Sequence, residues 1–231
     1  MKANASSSDG LKLTYNATPI ANIADNASVS PLVSIFIAGH SADPGAAGDQ
    51  TTSEIAYTGY ARATVARTTG GFTVATPASG GASVALVSSA SLGACTAGSG
   101  TMTHFSTGVA VSGVSKVLHR GVFGSRQGPF TGAITGNALT IPGAGANFAV
   151  NDRIAFYAVN NSTLPTGIAE GTVYFVLTVT GDVLTVSATQ GGAAIGISVA
   201  GDGMAYRVTP ISITAGITPQ LTGGVIFTVE E

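Results

Sequence analysis

The sequence predicts an all-β protein built on an antiparallel β-sandwich or barrel. Three observations carry this. Short β-branched and aromatic runs recur along the chain, each bounded by Gly, Pro, Asn or Asp. Glycine is abundant, at 32 of 231 residues, whereas charged residues make up only 9%. No long amphipathic helical pattern occurs in any stretch.

The composition also excludes several classes. The chain is 45% hydrophobic, with 9 Lys+Arg against 11 Asp+Glu and no Trp. A disordered chain is usually charged and poor in Val and Ile. A coiled coil needs heavy Glu and Lys usage in a heptad, which is missing. Nine scattered cations make a poor basic patch, so nucleic acid is not an expected partner. No apolar run approaches the roughly 18 residues of a membrane span, so a membrane is not expected either. The opening MKANASSSDG holds one Lys and no apolar core, and does not read as a secretory signal. Cys95 is the only cysteine, which rules out an intrachain disulfide and a cysteine-cluster zinc site. Synthesis in a reducing cytoplasm is the corresponding expectation.

Taken in order, residues 1–18 read as an N-terminal arm. It is polar and Ser-rich, then Leu11, Leu13 and Tyr15 alternate with polar residues at a strand period. Such an arm orders against a partner or forms an ordinary first strand. Residues 31–38 (PLVSIFIA) form an apolar strand, and 40–54 a long loop rich in Pro, Gly and Asp. Residues 57–67 alternate large and small side chains and read as a strand. Phe72, Val74 and Val84–Val87 supply short strands, followed by TMTHFSTGVAV at 101–111 and KVLHRGVF at 116–123. GSRQGPF, residues 124–130, reads as a linker. Beyond it come strands at Ala138–Ile141, Arg153–Val159, Gly171–Thr180, Val183–Ala188 and Met204–Thr209. The Gly181-Asp182 pair has the form of a two-residue hairpin turn. Ile211–Ile217 and Val225–Val229 close the chain.

Candidate chemistry is sparse. His40, Asp43 and Asp49 are donors on one loop, but they define no coordination geometry; they read as a turn in which Asp43 bonds backbone amides ahead of Pro44-Gly45, and no metal site is expected. His104 and His119 lie in strand patterns, where packing roles prevail. Gly39-His40-Ser41-Ala42-Asp43 lacks the final Gly of a nucleophile elbow, so a Ser-His-Asp hydrolase is not expected. No Walker or Rossmann glycine pattern appears, and no cofactor is expected. Arg62 and Arg67, five residues apart in the 57–67 run, should face opposite ways. One could pair with Glu54 or Asp49 while the other meets a partner. The interface candidates are therefore Leu11, Leu13, Tyr15, Arg62 and Arg67.

Three stretches carry a resemblance. Residues 34–68 (SIFIAGHSADPGAAGDQTTSEIAYTGYARATVART), 100–123 (GTMTHFSTGVAVSGVSKVLHRGVF) and 213–231 (ITAGITPQLTGGVIFTVEE) are similar to Gly/Ala/Thr-rich virion structural proteins of tailed bacteriophages. In that family the Ile-Thr-Pro and acidic ending follows soon after the Thr-His strand. Here it is displaced by roughly 85 residues, an extension that costs little closure entropy at a loop tip. The displaced stretch, residues 151–195, itself resembles a second module of phage structural proteins. The resemblance thus implies a host β-domain over 19–129 and 210–231, carrying an inserted all-β domain over 130–209. It also implies a non-enzymatic protein located on the virion. A capsid decoration or cement role comes first, with the major capsid protein or another virion protein as partner and a symmetric homo-oligomer, a trimer among the options. A tail- or fibre-associated protein contacting host glycans is the alternative.

Overall fold

The computed structural model describes residues 19–20, 23–24, 32–75, 82–159, 162–222 and 228–230. The chain is nearly all β and falls into two compact units. One comprises Met1–Phe123 with Ile211–Glu231, the other Gly124–Pro210.

The first unit opens with β1 (Ser34–His40), β2 (Ala63–Ala66), β3 (Phe72–Ala75), β4 (Ala82–Leu86) and β5 (Ala90–Ser91). It continues through β6 (Ser99–Met102), β7 (His104–Gly108) and β8 (Val117–Val122). Its largest sheet is antiparallel in the order β2-β1-β7-β8. Every residue of β7 is buried, so this strand is covered on both faces, whereas β2 alternates buried and exposed residues as a half-solvated strand does. The core collects Ile37, Leu92, Met102, Phe105 and Phe123. The rings of Phe105 and Phe123 lie 5.8 Å apart.

The second unit holds β9 (Gly124–Ala133), β10 (Ala138–Thr140), β11 (Arg153–Tyr157), β12 (Tyr174–Thr180), β13 (Val183–Ser187) and β14 (Gly201–Val208). A single-turn helix, α1 (Ala144–Asn147), follows β10. The six strands close into a barrel in the order β10-β13-β12-β11-β14-β9, and β9 pairs back onto β10. Closure removes the unpaired strand edges. Phe130, Leu139, Ile154, Phe156, Tyr174, Val176, Leu184, Val186 and Ala205 fill the interior, each taken from alternate positions of its strand. Phe130 and Phe156 are in ring contact at 4.7 Å. Gly181 and Asp182 form the turn between β12 and β13, with Gly181 at φ 57°.

The chain then returns to the first unit through β15 (Ile211–Thr214), β16 (Gln220–Leu221) and β17 (Thr228–Glu230). These strands pair with β6, β5 and β4 respectively.

Three expectations are corrected. Residues 124–130 are not a linker but the first part of β9, paired with β14 from Gly124↔Val208 onward. The Gly and Pro that suggested a linker mark a β-bulge instead. Gly128 has φ 135°, Pro129 follows it, and the register shifts opposite Ala205/Tyr206. Of the strand expected over 57–67 only Ala63–Ala66 forms, because Tyr60 N bonds back to Tyr57 O and makes a turn. The strand expected over Ile211–Ile217 stops at Thr214, where Ile217 N turns back onto Thr214 O.

Candidate functional site

Several chemistry-bearing side chains of the first unit, His40, Gln50, Glu54, Tyr60, Arg62 and Ser106, converge on one buried polar network. It is built where the 40–54 loop leaves β1 and meets β7 and the 109–115 loop. His40, Gln50, His104 and Ser106 are wholly buried, and Arg62 is 4% exposed. The Arg62 guanidinium holds Glu54 through two parallel bonds, Nε to Oε1 at 2.7 Å and Nη2 to Oε2 at 2.8 Å. The same guanidinium donates to Gln50 Oε1 at 3.3 Å, Ala110 O at 3.0 Å and Gly113 O at 2.7 Å. Its pairing with Glu54 holds the guanidinium above its ordinary basicity. Tyr60 donates its hydroxyl to Glu54 Oε1 at 2.8 Å and accepts from Gly39 N at 3.3 Å. Burial, reinforced by the Glu54 carboxylate, raises its phenol well above the usual range.

The network continues into β7. Gln50 Nε2 donates to Phe36 O at 3.0 Å and Ser106 Oγ at 3.4 Å. Ser106 Oγ lies 2.7 Å from His40 Nε2, and His40 Nδ1 lies 2.9 Å from Thr52 O. The Thr52 carbonyl can only accept, which places the neutral imidazole proton on Nδ1 and makes Nε2 the acceptor for the Ser106 hydroxyl. Burial lowers the His40 pKa, which favours that neutral form. A Ser–His pair at this distance has the geometry of an activated nucleophile. Both members are fully buried, however, so no substrate carbonyl reaches Ser106 Oγ in this conformation. Ser41 and Asp43, the other members of a paper triad, are engaged elsewhere. Ser41 Oγ donates to Ser53 O, while Asp43 accepts from Gly45 N at 2.9 Å and pairs with Arg120. Asp49 accepts from the Thr51 hydroxyl and amide, which hold its carboxyl below the ordinary range. No group of three or more His, Cys, Asp or Glu among the described residues suits a metal ion.

The two arginines thus have separate roles. Arg62 turns inward and pairs with Glu54, and its guanidinium is occupied by the fold. Arg67 is half-buried and donates to Leu32 O at 2.6 Å and Ile23 O at 3.3 Å, anchoring the described segment that precedes β1. Leu11, Leu13 and Tyr15 lie outside the described residues.

Sequence reasoning missed Gln50 and Ser106 as members of the site. Ser106 is 66 positions from His40 and 56 from Gln50, so no local spacing links them. What the network does is fix loops. Arg62 and Ser115 hold the 109–115 segment, with Ser115 Oγ accepting from Val109 N and Ala110 N. Val111 and Val114 at its tip are 58% and 79% exposed. No helix among the described residues is long and apolar enough to cross a membrane.

Residues 13–127 match the family described as Podophage GP4 fiber I protein gp80. That match supports a phage virion structural protein, with a place on the particle. It spans β1–β8 and ends within β9, so most of the barrel and the returning strands lie beyond it. No curated protein matches the chain.

Proposed function

We propose that the chain is a non-enzymatic, tail- or fibre-associated component of a phage particle that contributes to host-surface attachment. The observation that carries this reading is the match of residues 13–127 to a fibre protein family. It favours the fibre over the capsid-cement role that the resemblance put first. The closed polar network agrees with it, because Ser106 and His40 stiffen a loop base and present nothing to a substrate. Partners are other virion proteins and further copies of the chain in a symmetric assembly, a trimer among the options. Attachment then draws on many modest contacts repeated around the symmetry axis.

Gold-labelled antibody against the purified chain, applied to intact particles, tests the placement. Label confined to the tail is the expected outcome. Label spread over the head shell would replace the fibre reading with capsid decoration.

A further inference from the structure

The barrel unit carries a cavity of about 600 Å³, within the size range of small-molecule sites. Three neighbouring strands build one wall. Thr131 of β9 is paired with Thr140 of β10 on one side and with Asp202 of β14 on the other. Directly opposed residues of a sheet share a face. Two hydroxyls and a carboxylate therefore stand in one row across the strands, all three exposed. Phe130, the neighbour of Thr131, turns the other way into the barrel core. Pro129 and Pro142 add exposed apolar surface beside the row.

Ser162 and Thr163 extend the lining. Asp202 N donates to Thr163 O at 3.0 Å, which lays segment 162–165 along β14. Asp202 sits between two glycines that permit the approach. A Cβ on Gly201 would strike the Thr163 carbonyl, and one on Gly203 would come within 2.5 Å of Tyr157 O and 2.9 Å of Leu164 Cδ2. The glycines thus let the 163–165 backbone and Leu164 approach β14 closely beside the cavity that Asp202 lines.

Asp202 also differs from Asp43, Asp49, Glu54, Asp152 and Asp182. Asp43, Glu54 and Asp152 are in ion pairs, Asp49 accepts from Thr51, and Asp182 accepts from Gly143 N. Asp202 has no ion pair or side-chain hydrogen bond among the described residues. An acceptor-only group in a concave site, flanked by hydroxyls and apolar faces, is suited to a ligand rich in hydroxyl donors.

We propose that this cavity is a saccharide site for neutral hexoses or N-acetylhexosamines of a surface glycan. The proposal rests on the fibre reading above for its biological setting. The Asp202 carboxylate accepts two neighbouring ring hydroxyls, and Thr131 and Thr140 donate to or accept from a third. The two prolines and Val159 meet the C–H face of the ring. Among the described residues no Lys or Arg lines the cavity, so a carboxylated or phosphorylated sugar meets the repulsion of Asp202.

The test applies the full chain to an array of glucose, galactose, mannose, rhamnose and N-acetylglucosamine oligosaccharides, with sialylated oligosaccharides as the charged arm. The best neutral ligand is then titrated against wild type, Asp202→Asn and Thr131→Val. Thermal melting checks each fold, and the exposed Thr140→Gln substitutes for a variant that melts early. Binding of a neutral sugar, none of the sialylated ones, and a loss of about tenfold or more in Asp202→Asn is the expected result. No neutral sugar bound, or affinity unchanged in both variants, would overturn the site. The particle labelling separates the two readings. Tail label with no sugar binding rejects the site and leaves the fibre placement standing, and head label with sugar binding does the reverse.

Discussion

Arg62 and Glu54 form a two-point ion pair, at 2.7 and 2.8 Å, at the base of the 40–54 loop. Arg62 is 4% exposed, and it also ties the 109–115 loop through two carbonyls. Removing one partner of such a pair leaves a charge in a poorly solvated place. Arg62→Ala is therefore predicted to destabilise the first unit by about 3 kcal/mol or more. Arg62→Lys should recover little of this, because an ammonium cannot make the parallel fork. Urea unfolding of the three proteins is the measurement. A midpoint unchanged in Arg62→Ala would show that the network contributes little.

His40 predicts a pH dependence. Burial lowers its folded-state pKa below the ordinary 6.5. The unfolded state therefore takes up the proton first, and folding loses stability as pH falls. The contribution is whole above about 6.5 and is lost as pH drops toward the lowered folded value. In His40→Gln the acid slope between pH 7 and 5 should flatten even if the stability at pH 7 is lower. Melting temperatures across that range, compared between the two proteins, decide it. Parallel curves would assign the acid sensitivity to other groups.

Gly203 predicts a packing limit in the barrel. A methyl group there meets the Tyr157 carbonyl at 2.5 Å and Phe130 Cε1 at 3.0 Å. Gly203→Ala should cost about 1–3 kcal/mol through overpacking, although alanine suits an extended backbone as well as glycine does. Gly216→Ala tests a different cause. That residue has φ 91° with nothing near its Cβ, so any loss comes from backbone strain alone. Calorimetric melting of both variants reads the two effects. A Gly203→Ala protein as stable as wild type would mean that β11 at Tyr157 and the Leu164 and Phe130 side chains yield easily.

Excision predicts two independent folds. Gly124 and Val208 are cross-strand partners, so the barrel begins and ends at one place. Within the first unit, Phe123 N bonds Thr103 O while Ile211 pairs with Met102, so those two ends also meet. Joining Phe123 to Ile211 through a short Gly-containing turn should leave a cooperatively folding first unit, and residues 124–210 should fold alone. Circular dichroism melts test both pieces. A first unit without a β-spectrum would mean that it depends on the barrel.

Much of the secondary structure was legible in residue order. The runs at 34–40, 117–122, 174–180 and 183–187 are strands because β-branched and aromatic side chains suit a pleated, half-buried surface. The turn at Gly181-Asp182 was readable because two residues alone set its geometry. Residues 124–130 were not. Their Gly and Pro break a strand in most settings, and only the partner β14 turns the break into a bulge. The pairing of Arg62 with Glu54 was among the options that residue order left open, since eight positions and a charge complement suggest it. The Ser106–His40 contact was not, since 66 residues separate the two and hydroxyl–imidazole pairs have no sequence period.

By itself, then, the sequence determined the class: an all-β chain, low in charge, with glycine at its turns and motifs similar to phage virion proteins. Those properties are local or compositional, and each residue type expresses them wherever it stands. Tertiary structure decided what the few polar side chains do. It closed His40, Gln50, Ser106, Glu54 and Arg62 into one network and left Asp202 open beside Thr131 and Thr140. Whether a histidine or a carboxylate is buried and paired, or exposed and free to accept, depends on strand register across the fold. No neighbour in the sequence sets that register.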